Sequence, residues 1–354
     1  MSGLRVSVGW NGRRVDHVHV VSARPAAQPL LVGRTPDQAI AWIPRLFSLC
    51  GKAQQAAARL ALAGARGESA EADPATLRGV LAEQAQEHLW RVLRDWPRCL
   101  GLPPRDADFA GWFRRLAAAD EQAGADLLAY VEKEILGRPV DPWMALGCRD
   151  EIAAWAKFGS GGNAHGGRLA AALLDADGGT GEARCLPLRP DFAAFEAVDW
   201  SGEFPQRPTW EGAPAETGAY GRWRAQPMVA ASGDGLLARL LARLLDLVVT
   251  ARRLSQPEPQ ATLAEGRGVA DNVGLARIDT ARGMLLHRVE MAGGRVHGYA
   301  VVAPTEWNFH PQGGFAAAVA RLSATGEDEL RRRIGCWLTA FDPCVEWTLD
   351  VRRT

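Results

Sequence analysis

The amino-acid sequence predicts an α+β fold, a mainly helical bundle core with antiparallel β-hairpins at both ends. Residues 4–22 alternate apolar and polar side chains around Asn11-Gly12, and residues 283–291 and 295–302 read as two strands flanking Gly293-Gly294. Between them, apolar residues recur at three- and four-residue spacing. Alternation is the period of a half-buried strand; the wider spacing is that of a helix with one face in a core.

In chain order, Asn11-Gly12 suits a type I′ turn because both residues tolerate positive φ. Thr35-Pro36-Asp37-Gln38 is a capping box with proline at the first helical position. Pro44, which has no N–H to donate, is expected to force a break before a second helix over about residues 45–62. That helix carries Cys50 near its start and a buried stripe of Leu46, Leu49, Ala53, Ala57 and Leu60. Helices over 74–96, 109–136 and 150–158 follow, with Asp73-Pro74 as a start and Gly137 as a stop. Residues 159–167, a Gly-rich run containing His165, read as loop, and 201–227 as a long irregular stretch rich in Pro, Gly and Trp. A long helix over 235–254, the second hairpin and a last helix over 327–341 complete the chain. With no internal repeat and no long linker, residues 1–354 are expected to form a single domain.

A chain of 354 residues, 47% of them hydrophobic, can bury a sizeable core. Its 41 basic and 41 acidic residues cancel, so no global field draws it to nucleic acid or to an anionic membrane. The N-terminus lacks the apolar run of a signal peptide. The most apolar stretch, 236–249, is interrupted by Arg239, Arg243 and Asp246, each costing about 2.5–3.5 kcal/mol at a bilayer centre. The expectation is a cytoplasmic protein without membrane insertion, in which this stretch is an amphipathic core helix. Cys50, Cys99, Cys148, Cys185, Cys336 and Cys344 include no C-x-x-C pair, which excludes a zinc ribbon or a thioredoxin-type site. In a reducing compartment they are thiols.

Short segments in a fixed order carry the functional signal. The opening hairpin, Gly33-Arg34-Thr35-Pro36 and Arg45-Leu46-Phe47-Ser48-Leu49-Cys50-Gly51-Lys52-Ala53-Gln54 resemble the amino-terminal region of nickel-iron hydrogenase large subunits. In that family the last segment reads R-x-C-G-x-C-x-x-x-H, which puts Phe47 at the first cysteine, Cys50 at the second and Gln54 at the histidine. Gly212-Ala213-Pro214-Ala215-Glu216-Thr217-Gly218 resembles G-x-P-x-E-x-G, and Asp279-Thr280-Ala281-Arg282-Gly283 resembles E-A-P-R-G. Pro304-Thr305-Glu306-Trp307-Asn308 resembles P-[ST]-T-W-N. Phe341-Asp342-Pro343-Cys344 opens a match to the closing D-P-C-x-x-C-x-x-H, with Trp347 at the second cysteine and Asp350 at the histidine. On these segments the chain is identified as a member of the hydrogenase-accessory scaffolds of the HupK or HoxV type, with a large-subunit-like fold.

The resemblance implies what the missing residues would have done. The family's four thiolates hold nickel, and two of them bridge to an iron carrying cyanide and carbon monoxide. Two thiolates cannot complete a sulfur-rich nickel site, so no nickel and no hydrogen turnover are expected. The family's R-I-E-G-H glutamate has no counterpart here, and the residues after Asp350 are expected to include no cleavable tail. What remains suits the iron side. Cys50 and Cys344 are the expected metal thiolates, and Arg282 and Thr305 the expected cation and hydroxyl beside a transient iron dicyanide-carbonyl fragment. Cys344, near the chain end, is expected to move when the fragment is handed on. The implied role is a maturation scaffold that carries or helps assemble this fragment before transfer. The implied partners are hydrogenase maturation chaperones and iron-ligand assembly factors, with the hydrogenase large subunit as a further candidate. The competing function is a metal-free interaction protein that holds those chaperones by mimicking an immature large subunit; a third is an oxidoreductase using another metal.

Plainer readings stand beside these. A cysteine is commonly a small buried hydrophobe, the reading kept for Cys99, Cys148, Cys185 and Cys336. His17 and His19 share a strand face but read as exposed hairpin residues. Arg282 has a structural alternative as a buried arginine paired with an acid. Trp200, Trp210 and Trp223 are candidates for a partner surface, with partial burial the plainer account.

Overall fold

The computed structural model describes residues 3–23, 28–47, 49–68, 71–158, 164–175, 183–257 and 264–354. Strands β1 (Gly3–Trp10) and β2 (Val15–Ala23) form the expected antiparallel hairpin. Its turn is held by the Asn11 side chain, whose Oδ1 accepts from the backbone N of Arg13 and Arg14, both at 3.0 Å. The longer helices are α1 (Pro36–Leu46), α2 (Gly51–Ala65), α3 (Pro74–Trp90), α4 (Asp106–Leu116), α5 (Glu121–Tyr130), α6 (Arg149–Phe158), α7 (Leu236–Leu254) and α8 (Glu327–Phe341). Strands β3 (Ala264–Ala270), β4 (Val273–Thr280), β5 (Gly283–Ala292) and β6 (Arg295–Val302) make an antiparallel meander. Strand β7 (Trp347–Arg353) joins the first sheet, parallel to β1, in the order β2-β1-β7.

Several boundaries differ from the sequence expectation, for identifiable reasons. Thr35 forms the capping box, but α1 runs through Pro44 and ends at extended Phe47, since a proline in the last turn forfeits only one bond. Helix α2 therefore begins at Gly51, with Cys50 as its N-cap. The span 74–96 is interrupted by a π-helical turn, Arg91–Asp95, followed by the short helix Trp96–Cys99. The span 109–136 divides where Asp120 caps α5, accepting from Ala123 N at 2.6 Å, and a π-helical turn, Val131–Leu136, then ends at left-handed Gly137. Of the expected loop 159–167, residues 159–163 lie outside the described residues, while His165 opens the helix His165–Ala171. Its imidazole packs inward, Nε2 lying 2.9 Å from Val92 O. His17 and His19 are exposed on β2.

Strands β3, β4 and β7 were not expected. β3 is rich in glycine, and most of β7 faces solvent, so neither carries an apolar alternation strong enough to read. Strand β7 also corrects the idea of a loose chain end. Every residue from Trp347 to Arg353 is registered against β1, so the backbone beyond Cys344 is tied into a sheet.

The four-stranded sheet separates two packing layers. Leu275, Met284, Leu286, Ala300 and Val302 face Phe195, Trp200 and Trp307, so the irregular stretch covers one side. Trp200 is buried and donates to Phe195 O at 2.8 Å, and Trp210 packs against the same cluster; Trp223 is half-buried and donates to Asp246 Oδ1 at 2.8 Å. These indoles therefore follow the partial-burial account. Ala276, Ile278, Leu285 and Val289 face the other way, into the main core that includes α2. Helix α2 presents Ala53, Ala57, Ala61, Gly64 and Ala65, small enough for backbones to meet. A Cβ on Gly274 would lie 1.8 Å from Ala61 O, and one on Gly64 2.5 Å from the Arg267 backbone. This contact fixes α2, and with it Cys50, against the sheet.

Helix α7 is the expected core helix, buried on nearly all sides. Arg239, Arg243 and Asp246 on it are buried too, and each is ion-paired inside the protein. Among the described residues no helix is long and apolar enough to cross a membrane.

Gly274→Val should force the helix off the sheet. A loss of about 1–3 kcal/mol, the usual cost of overpacking, is expected from urea denaturation, with the Cys50 thiol alkylated faster than in the parent protein.

Candidate two-thiol centre

Cys50 and Cys344, 294 positions apart, lie close enough for Cys344 to oppose ionisation of Cys50, and the Arg282 guanidinium feels both sulfurs. Each sulfur has a hydrogen-bond partner of its own. Gln54, one turn into α2, donates Nε2–H to Cys50 Sγ at 3.4 Å. On the other side, Thr305 Oγ1 lies 2.9 Å from Cys344 Sγ and accepts from Cys344 N at 3.1 Å. With one lone pair taken by that N–H, the hydroxyl can donate its proton to the sulfur or accept the S–H on its second lone pair. Thr305, fully buried in the short helix Pro304–Asn308, thus positions Cys344 directly.

Behind Gln54 runs a buried relay. Its Oε1 lies 2.8 Å from His287 Nε2, and His287 Nδ1 lies 2.7 Å from the Tyr299 hydroxyl. An amide oxygen only accepts, so His287 carries its proton on Nε2 and Tyr299 donates to Nδ1. Burial holds the imidazole down at about 3, so the relay is uncharged near neutrality. Alternation along β5 puts His287 on the α2 side of the sheet, with Leu285 and Val289.

Cys50 is half-buried as a residue, yet its thiol is pushed up to about 12, first by burial, then by Cys344 and Glu83. The Gln54 hydrogen bond and Arg282 oppose the rise without cancelling it. Glu83, on α3, caps α2 from outside: its carboxylate accepts from Lys52 N at 2.8 Å and Ala53 N at 3.1 Å. Burial nevertheless raises Glu83 to about 7.

Arg282 follows the structural alternative, a buried arginine paired with acids. It pairs with Glu87 on α3, and its Nε lies 3.0 Å from Asp342 Oδ1. Asp342 also takes Arg91 Nε at 2.6 Å and Arg243 Nη1 at 3.0 Å, so one buried carboxylate holds three guanidinium groups. Burial would raise Asp342, but Arg282, Arg91 and Arg243 hold it well below the usual carboxylate range. The residue sits in the left-handed region (φ 57°) at the end of α8, two positions before Cys344.

Asn308 knits the remaining segments. It accepts from Thr217 N at 2.9 Å and donates to Arg282 O at 3.1 Å and Phe341 O at 3.4 Å. Gly218 passes so close to the β4–β5 turn that a Cβ there would lie 2.7 Å from Arg282 O. The segments at 212–218, 279–283, 304–308 and 341–344 therefore meet at one place.

A cavity of about 420 Å³ opens beside the pair, between Leu49 and Arg91 on one wall and Pro343, Val345 and half-exposed Trp347 on the other, with Arg282 at its edge. Residues flanking the two cysteines line it, and neither Cys50 nor Cys344 does. Phe47 packs against the core, and Asp350 pairs with Arg352 on β7, away from the thiols. Among the described residues no three His, Cys, Asp or Glu side chains gather as a bare metal ion would require.

The hydrogenase expression/formation protein HoxV of Cupriavidus necator is 32% identical over 94% of this chain and 92% of its own length. HupV of Azotobacter chroococcum, of the same description, is 33% identical over 98% of both chains. The chain belongs to the HoxV/HupK family of hydrogenase expression/formation proteins. HupK of Rhizobium leguminosarum bv. viciae is 31% identical over 91% of this chain and 89% of its own. No family model matches the sequence. In three dimensions the chain resembles the nickel-iron-selenium hydrogenase of Desulfomicrobium baculatum (TM-score 0.61, 13% identity, 95% of each chain). The enzyme from D. vulgaris Hildenborough gives a TM-score of 0.56 at 13% identity, over 95% of this chain and 94% of its own. The fold is that of nickel-iron hydrogenase large subunits, as the ordered motifs implied.

For this HoxV/HupK-type chain, motif reading found Cys50, Cys344, Arg282 and Thr305, which the fold brings together. It missed Glu83, Glu87, Arg91 and His287, which stand outside the motifs, and gave no role to Asp342 or Gln54, which stand inside them. The signal for Asp342 was its place before Pro343-Cys344.

Asp342→Asn should cost about 3–5 kcal/mol in urea unfolding, because three buried cations lose their common partner. Glu83 supplies a pH test. Its folded value is raised to about 7, so its contribution is full below the unfolded carboxylate range near 4.5 and is lost as pH rises through 7. Glu83→Gln should flatten the fall in stability between about pH 5 and 8; an unchanged slope would reassign it.

Proposed function

We propose that the chain is a hydrogenase maturation scaffold that carries, or helps assemble, an iron dicyanide-carbonyl fragment before its transfer to a hydrogenase large subunit. Cys50 and Cys344 are the proposed holding thiolates, and the chain does not itself turn over hydrogen. One observation carries the reading: two thiols remote in sequence, each with its own hydrogen-bond partner, meet beside the Arg282 guanidinium. Such a fragment is anionic, binds soft sulfur and brings its own diatomic ligands. Two sulfurs with a nearby cation fit it better than they fit a bare ion, which needs more ligands than are gathered here.

The chemistry of the chain follows from its electrostatics. Cys50 is a protonated thiol near neutrality and so unreactive at rest. Binding of soft cargo displaces that proton, which couples loading to pH. Gln54 and Thr305 then offer N–H and O–H to the sulfurs, stabilising their anionic form without blocking a bond to iron. Thr305 holds Cys344 through its own contacts and is the proposed hydroxyl beside the fragment. The cavity beside Trp347 offers maturation chaperones, iron-ligand assembly factors or the large subunit an approach to the pair.

Infrared spectra of the anaerobically purified protein decide the matter. Cyanide and carbonyl stretching bands are expected from the parent and should disappear in Cys50→Ala and in Cys344→Ala, with circular dichroism unchanged. Absence of bands from the parent, with retained chaperone binding, would leave only the metal-free interaction role. Hydrogen uptake with a redox dye that depends on either cysteine would overturn the non-enzymatic reading.

A further inference from the structure

Two of the cysteines expected to be packing residues are neighbours. Cys99 ends the short helix Trp96–Cys99, and Cys336 lies on α8, 237 positions later. Cys336 Sγ donates to Cys99 O at 3.3 Å, Cys99 Sγ donates to Trp96 O at 3.3 Å, and the two thiols interact directly. Both line a cavity of about 280 Å³ separate from the first, which Arg332 and Arg333 also line. These arginines precede Cys336 by four and three residues, so they share its helix face.

The pair is electrically unequal. When Cys336 is ionised, the Cys99 S–H can turn from Trp96 O to its sulfur; that bond lowers Cys336 and burial opposes it, with Arg332 and Arg333 adding to the lowering, while Cys99 is raised by the same bond and by burial. One sulfur is suited to attack while the other keeps its proton, the division of labour of a dithiol centre.

We propose that Cys99 and Cys336 form a redox-active dithiol that closes into an intramolecular disulfide on reaction with a small anionic disulfide of the glutathione disulfide class. The Cys336 thiolate attacks one sulfur of that disulfide, whose S–S bond breaks, and the departing thiolate takes a proton from water. Cys99 then gives up its proton and attacks the Cys336 sulfur of the mixed disulfide, expelling the second small thiol. The protein loses two electrons and two protons; the small disulfide becomes two thiols. In a reducing compartment such a bond is transient and reports redox state. Its position gives it a consequence: Trp96–Cys99 continues from the turn bearing Arg91, and α8 ends at Asp342, so the bridge joins the two walls of the cavity beside the thiol pair.

The test uses the reduced full-length protein incubated anaerobically with glutathione disulfide and digested with chymotrypsin, which can cut at Trp337 and Phe341, between Cys336 and Cys344. A peptide pair joining Cys99 to Cys336 is expected, without retained glutathione. In Cys99→Ser, Cys336 should instead keep a glutathione adduct. Replacing Arg332 and Arg333 by Gln should slow the first step roughly 3- to 10-fold through the lost field. Failure of the parent protein to yield this linked pair, under conditions that oxidise a reference dithiol, would overturn the proposal. So would linkage of either cysteine to a different partner, and both outcomes are independent of whether iron is bound.

Discussion

The carboxylate of Asp342 is the constraint on which the site depends. Arg91 reaches it from the turn after α3, Arg243 from α7 and Arg282 from the β4–β5 turn, so three elements distant in sequence are held at one point. Burying an ion costs several kcal/mol, and such a cluster persists only when it is complete. The left-handed backbone at Asp342 adds strain of order 1–3 kcal/mol, compensated by the same contacts. What this arrangement secures is placement. The residue that collects the arginines stands two positions before Cys344, so the ion cluster sets where that sulfur lies relative to Arg282.

Cys50 is fixed by different physics. No ion pair holds it; its helix is seated by the close approach of alanine and glycine to a glycine-bearing sheet, where there is no room to slide. Glu83 completes the seat by accepting the first free N–H groups of α2. The relay from Tyr299 through His287 to Gln54 aims a donor at the sulfur from the sheet side. A small-residue contact on one side and a charge cluster on the other thus bring two thiols together. Asn308 ties the turn segments to each other.

What the sequence made legible follows from how local each feature is. The hairpin at Asn11-Gly12, the capping box at Thr35, the stop at Gly137 and helix α8 are written in adjacent residues, and all are present. The α3 span could be read, but not its π-helical turn, whose reason is tertiary: Arg91 must reach Asp342. Strand β7 was illegible because its pairing with β1 joins the two ends of the chain and leaves much of its side-chain surface in water. In the site, ordered motifs located the thiols because a motif preserves spacing along the chain. Glu83, Glu87 and His287 escaped because their roles arise only when separate segments meet. The charges of α7 could be located from its helical period, but not their buried partners Glu216, Asp342 and Arg222, which lie on other segments.

The charge balance around Arg282 bears on how firmly the proposed cargo would be held. An arginine with no partner would bind an anion tightly and release it slowly; here Glu87 and Asp342 already occupy Arg282. An anionic fragment would gain only the residual field of the cluster, and most of its binding would come from the two sulfurs. The Cys50 sulfur is itself reluctant to ionise, because burial and Cys344 both oppose the charge. In the proposed role each loading event would supply the cost of deprotonating a buried thiol, and reprotonation would return that cost on release. A full set of four thiolates would retain a metal permanently. Two thiols, one of them unwilling and both beside a neutralised cation, would in the proposed role make a site whose occupancy a partner offering more sulfur would reverse.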